Sequence, residues 1–593
     1  MAITKEKVEV VLVGFGFTGA IMGQELTAAG KQVLALERGG MQDTGTDAKY
    51  PQVIDELAYS VRGKLYQDLS KETVTIRHKP GDLAVPYRQH KSFLLGNGVG
   101  GAGFHWNGMH YRNLPEELEL RSHYENRYGR SFIPEEMTIQ DFGVTYDELE
   151  PFYTQFEYVC GTSGTAGNLN GQIVPGGNPL EGWRSKPFPT PALKNPYSSD
   201  LFAKAAAEVG FHPYPTPSDN ISEPYTNPYG VRLGPCNFCG FCENYGCYMY
   251  SKSSPQTTIL PVLLKHPNFE LRTHAYVVKI NTTGEGVNKR ATGVTYYDAQ
   301  GQEVFQPADL VILTAYQLHN VRLLMLSGIG EQYDPHTGRG VVGKNYAYQR
   351  TGGVQVLLPE GTYLNPFIGT GAGGMGMDDL NGDQFDHGPL GFIGGASIRQ
   401  VIYGGRPITK TPTPRGTPAW GSEWKKGVQE GYQRRLTLGV SGSVCSYRDA
   451  YLDLDPTYKD VYGQPLLRMT FDWHENENRM INYINNRMMD VARAMDPVDC
   501  WTSQVPLDAH YNTRVYQTTH NTGGAIMGTD PANSVVNKYL QCWDVPNVFV
   551  TGASAFPQNM GYNPTGLVGA LAYWSVHHIR EIYLRNPGPM VQV

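Results

Sequence analysis

The start of the chain alternates between short apolar runs and a longer mixed stretch. Residues 7–13, Lys-Val-Glu-Val-Val-Leu-Val, form an apolar run that ends at Gly14, as a buried strand does. The stretch that follows predicts a helix closed by Gly30, and residues 32–37 form a second apolar run. The order of strand, helix and strand predicts a βαβ unit.

The pattern changes along the rest of the chain. Between roughly 115 and 230 it is rich in Pro, Tyr and Asn without regular periodicity, which predicts loops and a lid. The elements predicted after this stretch are strands at 270–280 and 291–298, a hairpin turn at 299–302, a strand at 309–315 leading into a helix that ends at 327–330, strands within 433–447, a helix over 475–495, a strand at 547–553 and a closing helix over 565–585.

The turn between the first strand and the first helix is Gly14-Phe15-Gly16-Phe17-Thr18-Gly19, and Glu37 ends the second strand. In such a turn the first glycine allows the tight bend, the second lets the backbone approach a pyrophosphate, and the third lets helix and strand pack closely. The helix N-terminus offers free N–H groups to the phosphates, and an acid at the position of Glu37 suits a ribose hydroxyl. The sequence therefore predicts a dinucleotide site, although this motif does not separate NAD from FAD.

A second glycine-rich segment, residues 95–103, has five glycines within nine residues, which lets backbone press against a flat or charged group. It is followed by Phe104-His105-Trp106-Asn107-Gly108.

Composition narrows the class of protein. The 593 residues are 40% hydrophobic and 18% charged, with 69 Gly and 40 Pro, as in globular enzymes with many loops. The net charge of -7, without a basic block, argues against a nucleic-acid partner. The N-terminus runs almost directly into a strand, so we expect no signal peptide, and no apolar stretch is long enough to span a bilayer.

Four of the eight cysteines lie within twelve residues, in the spacing C-x2-C-x2-C-x4-C. One loop with this spacing brings its thiolates together around an iron–sulfur cluster, whereas structural zinc usually takes two separated pairs. We expect an iron–sulfur cluster, of the 3Fe-4S or the 4Fe-4S type, with zinc and free thiols as the alternatives. The residues are Cys236, Cys239, Cys242 and Cys247.

Five features in order along nearly the whole chain resemble the glucose-methanol-choline (GMC) oxidoreductases. They are GFGFTG with Glu37, GNGVGGAGFHWNG, DLVILTA followed by LLMLSGIG, His520 in THNTGG, and the closing NVFVTGAS with NPTG. Within the family the likeness is to the flavoprotein subunits of bacterial membrane-bound dehydrogenases that act on gluconate, fructose, sorbitol, glucose and 2-ketogluconate.

The resemblance implies an α/β fold with a discontinuous Rossmann-like FAD domain (1–115, 231–345 and 505–593, with the cysteine loop at 234–250) and an α+β, sheet-based substrate domain and lid (116–230 and 346–504). It also implies the residues that contact FAD, with Val277 near the adenine. These are Gly14, Gly16, Gly19, Glu37, Gly98, Gly101, His105, Asn107, Val277, Ala315, Gly552, Ala553, Asn563 and Thr565.

Three positions carry the expected chemistry. By resemblance His520 is the base that takes the hydroxyl proton, because histidine titrates near neutral pH, and Asn563 hydrogen-bonds the substrate oxygen. His105 follows the same glycine turn as the histidine that tethers FAD in pyranose oxidase and fructose dehydrogenase. We therefore expect a histidyl-FAD bond at His105, with an ordinary packed histidine as the alternative.

The resemblance further implies a dehydrogenase that oxidises a sugar or sugar acid, with D-gluconate to the 2-keto acid as the first expectation. Electrons would pass from FADH2 through the cluster to a membrane-anchored multihaem cytochrome c subunit. A small subunit with a twin-arginine signal would carry the chain to the periplasmic side of the inner membrane. The alternatives are dehydrogenases of fructose, sorbitol, 2-ketogluconate or a glucoside at C3, an oxygen-using pyranose oxidase, and an inactive flavin-fold partner protein.

Overall fold

The computed structural model describes residues 3–48, 55–88, 93–402, 406, 408–512, 514–515 and 518–591. The predicted βαβ unit is confirmed, because the apolar run becomes strand Val8–Val13, the helix spans Phe17–Ala28 and the second strand is Val33–Leu36. The two strands pair in parallel, with Val10 opposite Val33.

An eight-stranded sheet forms the larger layer and draws on three separate parts of the chain. Its parallel part ends at the carboxyl edges of Val13, Leu36 and Leu313, which therefore lie side by side. The strands of this sheet are Ile3–Thr4, Val8–Val13, Val33–Leu36, Phe269–Arg272, Tyr276–Thr283, Arg290–Tyr297, Glu303–Leu313 and Val548–Val550.

The strand Glu303–Leu313 joins two kinds of pairing. Its first half closes the predicted antiparallel hairpin with Arg290–Tyr297, and its second half lies parallel to Val8–Val13. Every residue from Leu310 to Leu313 is buried, which explains why this segment is apolar without alternation.

Several of the longer helices of the described chain pack on the two main sheets. The first, Phe17–Ala28, is buried on nearly all sides between the eight-stranded sheet and the last helix. The longer helices are Phe17–Ala28, Leu120–Tyr128, Tyr146–Cys160, Tyr197–Glu208, Gln317–Leu326, Ser422–Arg434, Glu475–Arg493 and Thr565–His578.

A six-stranded sheet forms the second layer. One of its faces packs on Glu475–Arg493 through a separate apolar core that includes Val354, Leu436 and Ile481. Its other face carries more polar side chains. The strands are Tyr214–Pro215, Arg350–Leu357, Met375–Met377, Ala396–Val401, Arg435–Gly442 and Asp499–Trp501. A separate four-stranded sheet consists of Val74–Arg77, Val85–Pro86, Tyr451–Lys459 and Pro465–Thr470.

The expectation that residues 115–230 are loops and a lid is wrong for a large part of that segment. The helix Tyr146–Cys160 packs against the last helix, where the Phe156 ring lies over Gly569. Thr145 and Glu148 form a capping box that starts this helix, a local signal that composition alone obscures. Several of the tyrosines that suggested a loop are buried packing residues, among them Tyr124, Tyr146 and Tyr153.

Within the described residues, no helix has both the length and the apolar character needed to cross a membrane.

Candidate active site

A cavity of ≈ 550 Å³ lies between the two main sheets. Gly14, Glu37 and Ala315 line one side, at the carboxyl ends of the parallel strands. The polar face of the six-stranded sheet lines the other side through residues such as Thr437 and Ser441. Crevices at the carboxyl edge of an open parallel sheet are the usual ligand sites of α/β folds, and this volume is ordinary for a small-molecule pocket.

The glycine turn forms the phosphate-facing wall of the cavity. Gly14 has φ +100°, and a Cβ there would lie 2.8 Å from the Cα of Ala315. A Cβ on Gly19 would lie 2.4 Å from the carbonyl oxygen of Gly14, so Gly19 permits the close packing of helix on strand. Gly16 caps the helix and faces open space, because a Cβ there would meet only the Gly100 oxygen at 4.0 Å. The free N–H groups of the helix start therefore face the cavity.

The Glu37 carboxylate is buried and accepts hydrogen bonds from the backbone N–H groups of Phe15 at 3.0 Å and Gly39 at 2.9 Å. Burial raises its pKa, and these backbone donors oppose that rise. The N–H of Gly98 also acts on this carboxylate. Glu37 thus ties the two glycine segments together at the cavity edge.

Most residues expected at a flavin site lie on this cavity wall. Two do not, because Gly19 packs behind the turn and Gly98 lies against Gly40. The expected residues that line the cavity are Gly14, Gly16, Glu37, Gly101, His105, Asn107, Val277, Ala315, His520, Gly552, Ala553, Asn563 and Thr565. The cradle, the helix N-terminus and the cavity volume together fit a bound FAD.

His520 and Asn563 meet at the cavity, 43 residues apart in the chain. The Nδ2 of Asn563 lies 3.3 Å from the Nε2 of His520. Burial lowers the pKa of His520 to about 3, and the positive charge of Arg399 adds to this effect. The imidazole is therefore neutral at physiological pH and has a proton-accepting nitrogen.

Gln349 determines which imidazole nitrogen is free. Its Nε2 donates to the carbonyl oxygens of Met560 at 3.1 Å and Tyr562 at 2.9 Å, which turns its Oε1 toward the Nδ1 of His520. Because an amide oxygen only accepts hydrogen bonds, Nδ1 carries the proton of the neutral ring and donates a hydrogen bond to the Gln349 oxygen. The Nε2 of His520 is then the lone-pair nitrogen beside Asn563.

His105 lies on the cavity wall with its side chain buried. Its Nε2 has no hydrogen-bond partner among the described residues. Burial lowers the pKa of His105 to about 3, with a smaller effect from the positive charge of Lys252. A buried, neutral and unpaired ring nitrogen is unusual for a packed histidine, because such groups normally find a partner.

The four-cysteine loop lies directly behind this wall. Its residue Asn244 donates from the backbone to the carbonyl oxygen of His105 at 2.8 Å, and Glu243 lines the cavity itself. The sulfur of Cys242 lies 3.6 Å from the Oδ1 of Asn220, whose Nδ2 donates to the carbonyl oxygen of Asn107 at 3.0 Å. One layer of residues thus separates the thiols from the cavity.

All four thiols adjoin one small cavity, and Cys242 is buried. Burial raises the pKa of the Cys236 and Cys239 thiols, and the neighbouring cysteines add to the rise. Among the described residues, these sulfurs form no group in which three potential ligand atoms all lie within 4.8 Å of one another.

Gln349 and Arg399 also line the cavity, and neither is among the residues expected from the sequence. Nothing local marks Gln349, because its partners His520, Met560 and Tyr562 are far away in the chain. Arg399 had a usable signal, since alternation along Ala396–Val401 places it on the face opposite the apolar Ile398.

The chain is similar to known proteins over nearly its whole length. Models of the GMC oxidoreductase family match residues 143–350 and 446–572. The chain is 58% identical over 590 residues to the gluconate 2-dehydrogenase flavoprotein of Pantoea cypripedii, covering 99% of this chain and 96% of that protein. It is 24% identical to the fructose dehydrogenase large subunit of Gluconobacter japonicus, covering 95% and 96% of the two chains.

The fold also matches a solved structure, pyridoxine 4-oxidase from Mesorbium loti, with a TM-score of 0.58 and 15% identity. That match covers 96% of this chain and 99% of the other. Fold, cavity and sequence agree: the chain belongs to the GMC oxidoreductase family and is an FAD-dependent dehydrogenase acting on a CH–OH group.

Proposed function

We propose that the chain oxidises the secondary alcohol at C2 of D-gluconate to the 2-keto acid and delivers the electrons to a protein acceptor rather than to oxygen. The observation that carries the proposal is a neutral His520, oriented by Gln349 and paired with Asn563 on the cavity wall. The gluconate 2-dehydrogenase flavoprotein at 58% identity supports the choice of substrate.

The reaction removes a hydride from the carbon and a proton from its hydroxyl. When bound, FAD supplies the acceptor for the hydride. The Nε2 of His520 takes the hydroxyl proton, and the Nδ2 of Asn563 donates a hydrogen bond to the same oxygen. Both groups are held before substrate arrives, so little reorganisation is needed.

The opposite wall suits a polyol. Thr351, Thr437 and Ser441 all line the cavity from the six-stranded sheet. Hydroxyl groups both donate and accept hydrogen bonds, which matches the hydroxyls of a sugar chain. This wall supports a sugar or sugar acid as the substrate rather than an apolar alcohol.

We propose that FAD is attached covalently through His105. The support is the unpaired Nε2, buried at the wall of the cavity that the cofactor would fill. A bond at this nitrogen gives it the partner that it lacks among the described residues.

We also propose an iron–sulfur cluster on the four-cysteine loop. A zinc ion bound by thiolates at about 2.3 Å would hold the sulfurs about 3.8 Å apart. The sulfurs are more widely spread than that, since no three of these described side chains lie within 4.8 Å of one another. Spread thiols around a common cavity favour a larger inorganic core.

The position of this loop supports a role in electron delivery to a cytochrome c subunit. The loop lies one layer from the cavity, and its thiols are only partly covered at Cys236, Cys239 and Cys247. A relative named as a large subunit supports assembly with other chains. We further propose a small twin-arginine-bearing subunit and a location on the periplasmic side of the inner membrane.

The substrate proposal predicts anaerobic bleaching of the flavin by D-gluconate. Bleaching by 2-ketogluconate, sorbitol, fructose and glucose should be slower, and colour should return with an artificial acceptor but not rapidly with oxygen. His520→Gln should keep FAD but bleach about 10²–10⁴-fold more slowly, because the general base is lost. The matched control is His212→Gln at an exposed histidine, which should behave as wild type. Bleaching by another sugar, or fast recovery in oxygen, would contradict the proposal.

The orientation of His520 predicts a specific pH effect for Gln349→Glu. A carboxylate at Nδ1 stabilises the imidazolium and so raises the pKa of His520, and the base becomes protonated at higher pH. The acidic limb of the rate of flavin reduction should move upward by about one to three pH units. Gln355→Glu is the control, because Gln355 lies on the strand Arg350–Leu357 just after Gln349 and is bonded to Arg435, and it should leave the limb in place. An unchanged profile in Gln349→Glu would show that Gln349 does not orient the base.

The covalent bond predicts that acid-precipitated wild-type protein stays yellow. His105→Ala should release all its flavin into the supernatant, because the tether is gone while the glycine cradle remains. The flavin absorbance of the pellet measures the flavin that stays attached, and that of the supernatant measures the flavin that is released. Complete release from the wild type would show that the flavin is held by noncovalent contacts alone.

The cluster predicts iron and acid-labile sulfide in purified protein. Cys239→Ala should lower both, since a ligand is removed, whereas Cys500→Ala on the strand Asp499–Trp501 should not. A preparation that contains zinc alone would rule out the cluster.

A further inference from the structure

The carboxylate of a sugar acid needs a cation in the cavity, and Arg399 is placed to supply it. Along the strand Ala396–Val401, Ile398 belongs to the apolar core, and Arg399 projects from the opposite face to line the cavity. Both of its neighbours across the sheet, Gly376 and Gly439, lack side chains. Its Nη1 donates to the carbonyl oxygen of Gly371 at 3.1 Å, which steadies the guanidinium.

Arg399 lies near the reacting end of the cavity. Its positive charge is the electrostatic influence that lowers the pKa of His520, next to burial itself. In D-gluconate the carboxylate carbon is bonded directly to C2, the carbon that loses the hydride. A cation that holds this carboxylate must therefore lie close to the catalytic histidine.

Two other arginines of the cavity are committed elsewhere. The Nη1 of Arg38 lies 3.0 Å from the Glu72 carboxylate, and that of Arg322 lies 2.6 Å from it. Arg322 also pairs with Asp460 at 2.8 Å. These ion pairs neutralise that part of the wall and leave it unsuited to a second carboxylate.

Several charged groups lie around Arg399. Glu243 lines the cavity there, and the charges of Arg406, Lys410 and Arg399 all act on it, with that of Arg406 the strongest. Arg406 lies 3.7 Å from the Glu243 carboxylate. Arg399 and Lys410 both line the cavity, and cations on a cavity wall attract an anionic substrate.

We propose that Arg399 binds the carboxylate adjacent to the reacting carbon and thereby selects α-hydroxy sugar acids over neutral polyols. Its planar guanidinium can donate two parallel hydrogen bonds to a carboxylate while keeping its bond to Gly371. The inference rests on the proposed function, since it assumes a sugar acid as the substrate.

The test compares D-gluconate with D-gluconamide, which keeps every hydroxyl and loses the charge. For Arg399→Met, kcat/KM with gluconate should fall about 10- to 100-fold, as expected when a hydrogen bond to a charged group is lost. Gluconamide should be a poorer substrate than gluconate for the wild type, and its kcat/KM should change little in Arg399→Met. Arg399→Lys should recover part of the gluconate rate, because the charge returns without the planar fork.

A binding measurement provides a second readout. The dissociation constant of 2-ketogluconate, followed by the shift of the flavin spectrum, should rise for Arg399→Met by a similar factor. Arg415→Met is the matched control, because Arg415 is exposed and pairs with Asp499 at 2.8 Å away from the cavity. It should leave both substrates and the dissociation constant unchanged. If Arg399→Met loses flavin, Arg399→Lys and Arg399→Gln decide by the same two measurements.

The wild-type and variant results separate the two ideas. Wild-type bleaching by neutral polyols and not by gluconate would overturn the proposed function, and the role of Arg399 with it. Wild-type bleaching by gluconate with unchanged kinetics and binding in Arg399→Met would overturn only the role of Arg399. An equal loss for gluconate and gluconamide would also overturn it, since the effect would not depend on the carboxylate.

Discussion

The close approach of backbone at the carboxyl edge of the parallel strands is the constraint on which the site depends. A Cβ on Gly14 would lie 2.8 Å from the Cα of Ala315, and a Cβ on Gly19 would lie 2.4 Å from the Gly14 oxygen. Only glycine allows both contacts without a shift of the chain. Because of them, the first helix starts at the cavity, with its positive end toward the space where the phosphates of FAD would lie.

The six-stranded sheet completes the cavity, and its two faces have different roles. Alternation along its strands sends Ile398 and Leu438 into an apolar core, while Arg399 and Thr437 face the cavity. Each of these two strands thus supplies both core packing and side chains that line the cavity. Because side chains alternate between the two faces of a strand, a shift of one residue would turn a cavity-facing side chain into the apolar core.

The proposed catalytic centre is formed by distant segments of the chain. His520, Asn563 and Gln349 come from separate parts of the chain and are bonded to one another or to the intervening backbone. Each amide of this junction has its orientation set by a backbone carbonyl or by the imidazole. Such networks specify one arrangement, since an unpaired buried polar group would cost about 1–3 kcal/mol.

Local patterns were sufficient to predict the βαβ start, the hairpin of residues 291–313 and the helix at Glu475–Arg493. The periods of strands and helices span only a few neighbouring residues, so the sequence shows them directly. They also marked the glycine turn and the four-cysteine loop, whereas the resemblance to the GMC family marked His520 and Asn563 as candidates. The helix Tyr146–Cys160 escaped because its aromatic residues pack against other helices, which composition does not reveal. Gln349 came beside His520 only through folding, and a hydrogen bond across more than 100 residues leaves no local trace. For Arg399 the alternation along Ala396–Val401 indicates which face it occupies, but only folding placed its charge where it acts on His520.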